Sequence, residues 1–154
     1  MTVRGRAVIL DFMESQDQPL AEPKDKCILI VDDDESIREL LEMGAREEGF
    51  MVATAVDGAM AAQVIKEIRP SLIITDLMMP AQGGFELIRS LQETDLRSVP
   101  IIMITGRKLD DSTKEMIRQE GNVVQVLAKP LSLSTFRLTL HQVLHTKPPQ
   151  IERS

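Results

Sequence analysis

Residues 71–80 of the chain read SLIITDLMMP, and this stretch decides the fold. A short apolar run compatible with a strand leads directly to Asp76, and Pro80 then disfavours continuation of the strand. The pattern predicts that Asp76 lies at the carboxyl end of a buried strand, which in an open parallel sheet is the edge where ligands bind. A single aspartate in this place is more often a turn residue or a helix cap. A functional site is therefore expected only if other strands bring suitable groups to the same edge.

The composition is typical of one globular domain with a short appendage. The chain has 154 residues, of which 43% are hydrophobic and 27% charged. A formal net charge of −6 and an aromatic content of 3% disfavour nonspecific binding to nucleic acid or anionic membranes. Cys27 is the only cysteine, which excludes an intrachain disulfide and a cysteine metal cluster. Because no apolar run is long enough for a membrane span or a signal peptide, we expect a cytoplasmic protein without membrane insertion.

The stretch around Asp76 belongs to a repeated pattern of strand, loop and helix. Each apolar run of strand length is followed by apolar residues at helical spacing. The predicted strands are residues 27–31, 50–55, 71–75, 100–104 and 123–128. Asp57-Gly58 is interpreted as a turn, and Gly49 and Pro70 as the ends of the first two helices. Five alternations predict a doubly wound, flavodoxin-like α/β domain with a five-stranded parallel sheet over residues 25–146.

Two segments flank the predicted domain. Residues 1–24 combine a short apolar patch, residues 7–13, with a polar run, and are interpreted as a flexible arm or linker. An ordered extra element is the alternative. Residues 147–154 are expected to form a C-terminal tail.

Groups from four predicted strands meet at the carboxyl edge of such a sheet. The first strand delivers the acidic run 32–35, the third Asp76, the fourth Thr105 and the fifth Lys129. Converging carboxylates repel one another, so a hard cation with oxygen ligands is expected among them, and Mg²⁺ fits best because few carboxylates hold it. A carboxylate beside Mg²⁺ can attack phosphorus, while the ammonium and hydroxyl groups neutralise phosphoryl oxygens.

In order and spacing these residues resemble the receiver domain of bacterial two-component response regulators, of the stand-alone type. The resemblance rests on the acidic pair Asp32-Asp33, on Asp76 in an Asp-x-Met-Met-Pro context, and on Thr105-Gly106 and Lys129-Pro130. It implies a phosphorelay in which a sensor histidine kinase, a phosphotransfer protein or a small phosphodonor phosphorylates Asp76. Such a module assists its own phosphorylation and dephosphorylation but turns over no separate substrate, so it is not expected to be an enzyme.

The resemblance also implies a metal site. Mg²⁺ would be held directly by Asp33, in a supporting or water-mediated way by Asp32, and also by Asp76 and the backbone carbonyl of Met78. Asp34 would be the acid at the entry to the first helix. The start of the third helix differs from the usual family sequence, because Gly83-Gly84 replaces the usual Asp-Gly and removes a side-chain cap.

The output of the domain is a further expectation, and it depends on Lys129 and Thr105. Lys129 would pair with the phosphoryl group, and Thr105 would move toward it as the switch hydroxyl. Val126 stands where receivers usually carry an aromatic residue, so the response is expected to rely on Thr105 and the fourth helix. The predicted output is a contact with an unidentified downstream protein, made by the fourth helix, fifth strand and fifth helix, without direct binding of nucleic acid.

Two other functions remain open from the sequence. Asp32-Asp33-Asp34 also satisfies the Asp-x-Asp pattern of a haloacid-dehalogenase-type phosphatase, in which Asp32 would be the nucleophile. A scaffold that acts without phosphorylation is the other alternative. His141 and His145 have the spacing of metal ligands on a helix, but without a third ligand we interpret them as an exposed pair.

Overall fold

The computed structural model describes residues 19–77, 84–92, 94–106 and 108–149, with the backbone alone at residues 84, 85 and 92. The described strands are β1 (Cys27–Val31), β2 (Met51–Ala55), β3 (Leu72–Asp76), β4 (Ile101–Thr105) and β5 (Val123–Ala128). The described α-helices are α1 (Glu35–Glu47), α2 (Gly58–Ile68), α3 (Gly84–Gln92), α4 (Asp111–Gln119) and α5 (Leu133–Leu144). A short 3₁₀ helix, Pro23–Asp25, precedes β1. The strand bounds agree with the predicted ones to within one residue.

The five strands form one parallel sheet in the order β2-β1-β3-β4-β5. The prediction of a doubly wound α/β domain is therefore confirmed. The direction in which strands are added reverses beside β1, because the chain first places β2 on one side of it and then β3 on the other. In sheets of this kind a crevice opens at the carboxyl ends of the strands that flank the reversal. Here those strands are β1 and β3, which end at the acidic run and at Asp76.

Helices cover both faces of the sheet, which explains why the strands are almost continuously apolar. Alternate residues of β1 enter different layers, since Ile28 and Ile30 pack with α1 and α5, whereas Leu29 and Val31 pack with α2, α3 and α4. Residues of β1, β3 and β4 are almost completely buried in both layers. The central strands therefore hold the loops at their carboxyl ends in fixed positions. None of the described helices is long and apolar enough to cross a membrane.

Side-chain caps define where several helices begin. Asp34 accepts hydrogen bonds from the backbone N–H groups of Ser36 and Ile37, at 2.9 and 3.3 Å, so it caps α1. Asp57 accepts one from the N–H of Met60 at 2.8 Å. The interpretation of Asp57-Gly58 as a turn is wrong, because Asp57 is the cap and Gly58 the first residue of α2. Gly83, where the sequence predicts the loss of a side-chain cap, lies outside the described residues.

The two ends of the described chain meet beside α1 and α5. Ala21 forms a parallel β-bridge with Thr146, and its N–H donates to the carbonyl of His145 at 3.0 Å. Pro23 is buried against Gly49, which has a positive φ of 96° that suits glycine. Residues 19–24 of the predicted arm are thus in contact with the domain. Residues 1–18, including the apolar patch, lie outside the described residues.

His141 is buried, so the interpretation of the two histidines as an exposed pair is wrong for it. Its Nε2 lies 3.0 Å from Glu48 Oε1, its Nδ1 lies 2.8 Å from Thr146 Oγ1, and its ring centroid is 5.1 Å from that of Phe50. The helical spacing could not reveal these partners, because Glu48 and Phe50 come from the end of α1 and the start of β2. Among the described residues, the two histidines belong to no group of three metal ligands.

Candidate functional site

The candidate site lies at the carboxyl ends of β1 and β3. Asp32 directly follows β1 and its backbone N–H donates to the carbonyl of Ala55 at 3.1 Å, while Asp76 is the last residue of β3 and pairs in register with Ile104. Both carboxylates are buried, with exposed fractions of 1% and 7%. Adjacent strands therefore bring together two acids that are 44 positions apart in the sequence.

Three carboxylates form a cluster at this edge. Asp32, exposed Asp33 and Asp76 each offer one oxygen within 4.8 Å of the others. Asp32 Oδ1 accepts a hydrogen bond from the N–H of Asp34 at 2.9 Å. Asp32 Oδ2 is buried and has no hydrogen-bond donor among the described residues. Burial raises the pKa of Asp32 above its ordinary value, even though the Asp34 amide and the charge of Lys129 act in the opposite direction.

Lys129 supplies the positive charge of the site. Its Nζ lies 2.7 Å from Asp76 Oδ2 in a hydrogen-bonded ion pair, and 3.4 Å from Asp32 Oδ2 without hydrogen-bond geometry. Burial alone would lower the pKa of Lys129, but the hydrogen bond to Asp76 and the two acidic charges raise it above the ordinary value. The backbone N–H of Lys129 donates to the carbonyl of Thr105 at 2.8 Å, so the end of β5 is fixed against the end of β4.

The remaining residues singled out from the sequence are Thr105, Val126 and Met78. Thr105 ends β4 and is buried, and a Cβ on the adjacent Gly106 would lie 3.7 Å from the Lys129 side chain. Val126 on β5 is 37% exposed and therefore faces outward rather than into the core. Met78, whose carbonyl is a predicted metal ligand, lies outside the described residues. The structure thus gathers Asp32, Asp33, Asp76, Thr105 and Lys129 at one edge.

Arg38 has a role beside the cluster that the sequence did not predict, whereas Asp34 has the role of helix-entry acid that was expected of it. Arg38, on the first turns of α1, donates from Nη1 to the carbonyl of Asp32 at 2.8 Å and holds the acidic loop in place. In the sequence, this contact is indicated only by the spacing of six residues between Asp32 and Arg38. Asp34 is used as the cap of α1, and the hydrogen bond from the Ile37 amide is the main reason that its pKa is lowered. Asp34 is therefore separated in function from the two acids before it.

A hard divalent cation fits this set of donors. The three acids provide oxygen ligands, and the buried Oδ2 of Asp32 lacks the hydrogen bond that such an atom normally has. A cation would satisfy that oxygen and offset the repulsion between Asp32 and Asp76. Mg²⁺ suits a site with few carboxylates and one exposed side, where water can complete its octahedron.

A family model described as the response regulator receiver domain matches residues 28–141, which is most of the chain. The chain belongs to this family. The receiver domain is also similar to a solved structure, the chemotaxis response regulator CheY4 of Vibrio cholerae, with a TM-score of 0.71 and 31% identity. That similarity covers 77% of this chain and 98% of CheY4. The predicted family resemblance is confirmed.

Curated relatives extend the comparison. The receiver domain is 35% identical over 104 residues to the transcriptional regulatory protein AfsQ1 of Streptomyces coelicolor, covering 68% of this chain and 44% of AfsQ1. It is 36% identical over 103 residues to the DNA-binding response regulator MtrA of Mycobacterium tuberculosis, covering 67% of this chain and 43% of MtrA. The receiver domain therefore spans less than half the length of these relatives. As a member of this family, it is a signalling module of two-component systems.

Proposed function

We propose that the receiver domain accepts a phosphoryl group on Asp76, with Mg²⁺ as cofactor, from a sensor histidine kinase, a phosphotransfer protein or a small phosphodonor. The observation that carries the proposal is the 2.7 Å ion pair between Lys129 Nζ and Asp76 Oδ2 inside a cluster of three carboxylates. An aspartate held by a lysine at the edge of a sheet crevice is placed to react with an incoming anionic group.

The chemistry requires one displacement at phosphorus. A carboxylate oxygen of Asp76 forms the new O–P bond, while the P–N bond of a phosphohistidine, or the P–O bond of acetyl phosphate, breaks and its electron pair leaves with the donor. Lys129, already at Asp76, would follow the transferred group and balance its charge. Asp32, Asp33 and Asp76, with the Met78 carbonyl, would hold Mg²⁺. When bound, Mg²⁺ supplies positive charge against the phosphoryl oxygens.

An apolar surface next to Lys129 suits a protein donor. Ile37 and Leu40 on α1, with Pro130 and Leu131 after β5, line a groove of about 420 Å³ that also includes Lys129. Leu40 is 37% exposed although it is a large hydrophobic residue. A helix of the donor that covered this groove would bury those side chains and bring a phosphohistidine to Asp76. A small phosphodonor needs no such surface.

For the output we propose a protein contact through α4, β5 and α5. Thr105 and Lys129 connect the site to this side of the domain through their backbone hydrogen bond. Val124 and Val126 on β5 and Met116 on α4 are exposed apolar residues there, with exposed fractions of 48%, 37% and 40%. AfsQ1 is named a transcriptional regulatory protein and MtrA a DNA-binding response regulator, but a net charge of −6 disfavours direct nucleic-acid binding by this domain.

The test compares two matched aspartate substitutions. Four proteins are incubated with Mg²⁺ and acetyl phosphate: wild type, Asp76→Asn, Asp32→Asn and the control Asp57→Asn. The phosphoryl adduct is then measured by intact mass spectrometry. We expect the adduct in wild type and Asp57→Asn, its loss in Asp76→Asn, and slower formation in Asp32→Asn. An adduct that persists in Asp76→Asn but disappears in Asp32→Asn would instead identify the phosphatase chemistry. Absence of both the adduct and Mg²⁺ binding in wild type would identify the scaffold.

A further inference from the structure

An open groove lies between α1 and α5 at the end of the domain opposite Asp76. It has a volume of about 760 Å³ and is lined mainly by apolar surface, including Leu20, Leu138, Pro148 and Pro149. Leu138 is 59% exposed and Leu20 is 40% exposed. Because α5 runs back across the sheet from the edge where β5 ends, its carboxyl end and this terminal groove are remote from the phosphoryl site. Exposed apolar residues gathered in a concave surface are typical of a site of interaction.

The chain itself contains a matching segment. Residues 7–13, AVILDFM, are the apolar patch among residues 1–18, which the structure does not describe. The described chain begins at Pro19, and the next residue, Leu20, lines the groove. Residues 13–19 extend to about 20 Å, so the patch can reach back to the groove into which the chain enters. A tethered segment at this distance acts at a millimolar effective concentration, which favours it over a free partner.

The charges of the groove also suit this segment. Arg137 lines it and pairs through Nη2 with Glu47, but its Nε has no hydrogen-bond partner among the described residues. Asp11, in the middle of the apolar patch, supplies a carboxylate that can pair with this guanidinium. The C-terminal residues 150–154 also leave the described chain beside the groove, but Ile151 is their only large apolar residue.

We propose that residues 7–13 occupy the terminal groove and cover Leu20 and Leu138, so that the N-terminal segment is an intramolecular ligand of the α1–α5 face. The contacts of Ala21 with His145 and Lys147 anchor the chain at the entrance to the groove. This contact does not involve Asp76 and is expected to persist in Asp76→Asn. Its failure would therefore leave the proposed phosphoryl transfer untouched.

Disulfide trapping in the full chain tests the contact directly. In a Cys27→Ser background, Leu10→Cys is combined with Leu138→Cys on the groove, or with Met60→Cys on α2 as the control. Leu138 and Met60 are both exposed, at 59% and 42%, so neither substitution is expected to prevent folding. With oxidised glutathione as oxidant, we expect an intrachain disulfide to form at least about tenfold faster with Leu138→Cys than with Met60→Cys.

The competing occupants give different products. Equal rates for the two cysteine pairs would overturn the proposal. A disulfide between chains, increasing with protein concentration, would place a second copy in the groove instead. A disulfide that formed faster between Ile151→Cys and Leu138→Cys than between Leu10→Cys and Leu138→Cys would place the C-terminal tail there. In the cysteine-unmodified chain, the triple substitution Val8→Ser, Leu10→Ser and Phe12→Ser is expected to shift the amide NMR signals of Leu138 and Gln142, whereas Gln16→Ser is not. Unshifted signals in the triple variant would also contradict the proposal.

Discussion

Asp32 shows how a single residue can be costly for stability and useful for binding. Its pKa is raised by burial, so in the metal-free protein its charge is less favourable in the folded chain than in the unfolded one. The resulting loss of stability is present at neutral pH and is relieved as the pH falls through the raised folded-state pKa. Removing the charge should therefore stabilise the domain in the absence of Mg²⁺.

We expect Asp32→Asn to raise the free energy of unfolding of the metal-free protein by about 1 kcal/mol at neutral pH, because the substitution removes a buried negative charge that is repelled by Asp76 and whose contact with Lys129 lacks hydrogen-bond geometry. The measurement is urea denaturation in EDTA, and the difference between the two proteins should shrink toward acidic pH. Added Mg²⁺ should reverse the order, since binding at 100 times Kd stabilises wild type by about 2.7 kcal/mol. Asp33→Asn, at an exposed position, is the control and should stay within about 0.5 kcal/mol. A metal-free Asp32→Asn protein less stable than wild type would contradict this prediction.

At the scale of elements, the contact between α1 and α5 depends on one small residue. A Cβ built on buried Gly44 of α1 would lie 3.3 Å from Leu133 Cδ2 and 3.5 Å from atoms of the Phe136 ring, both on α5. A larger side chain would push the two helices apart. Gly44→Leu is expected to reduce the free energy of unfolding by about 1–3 kcal/mol through overpacking.

Chemical denaturation of Gly44→Leu and of Gly121→Leu measures this effect with a matched control. A Cβ at Gly121 would meet no atom within 4 Å, so its substitution should change stability by no more than about 0.5 kcal/mol. If the two variants lost stability equally, close packing of α1 on α5 would not be the cause.

The elements also show how far the sequence can be interpreted without a structure. Apolar runs located all five strands, and most directly β1, β3 and β4, because a strand buried on both faces has a pattern that depends on little beyond its own residues. Strand ends then predicted the meeting of Asp32, Asp76 and Lys129 from topology alone. The contacts of the His141 ring with Glu48 and Thr146 could not be predicted, since they depend on how α1, α5 and the chain ends pack together. Arg38 escaped prediction for a similar reason, because its partner is a backbone carbonyl.

For the whole molecule, the open question is how an event at Asp76 reaches the outer surface of the domain. Thr105 is buried beside the site, whereas Val126 is already exposed and has no aromatic ring to carry an inward movement. We therefore expect Thr105, rather than position 126, to transmit the change to α4 and β5.

Amide hydrogen exchange with and without beryllofluoride and Mg²⁺ measures this transmission in the complete chain. In wild type, exchange should change in α4, β5 and α5, while α2, which packs on another part of the sheet, serves as the internal reference. Thr105→Ala should still bind beryllofluoride at Asp76 but lose most of the change in α4, because the hydroxyl that would follow the phosphoryl group is missing. Val126→Ala should keep it. If Thr105→Ala behaved as wild type and Val126→Ala lost the response, β5 would carry the signal, and the small side chain at position 126 would be an active part of the switch rather than a departure from it.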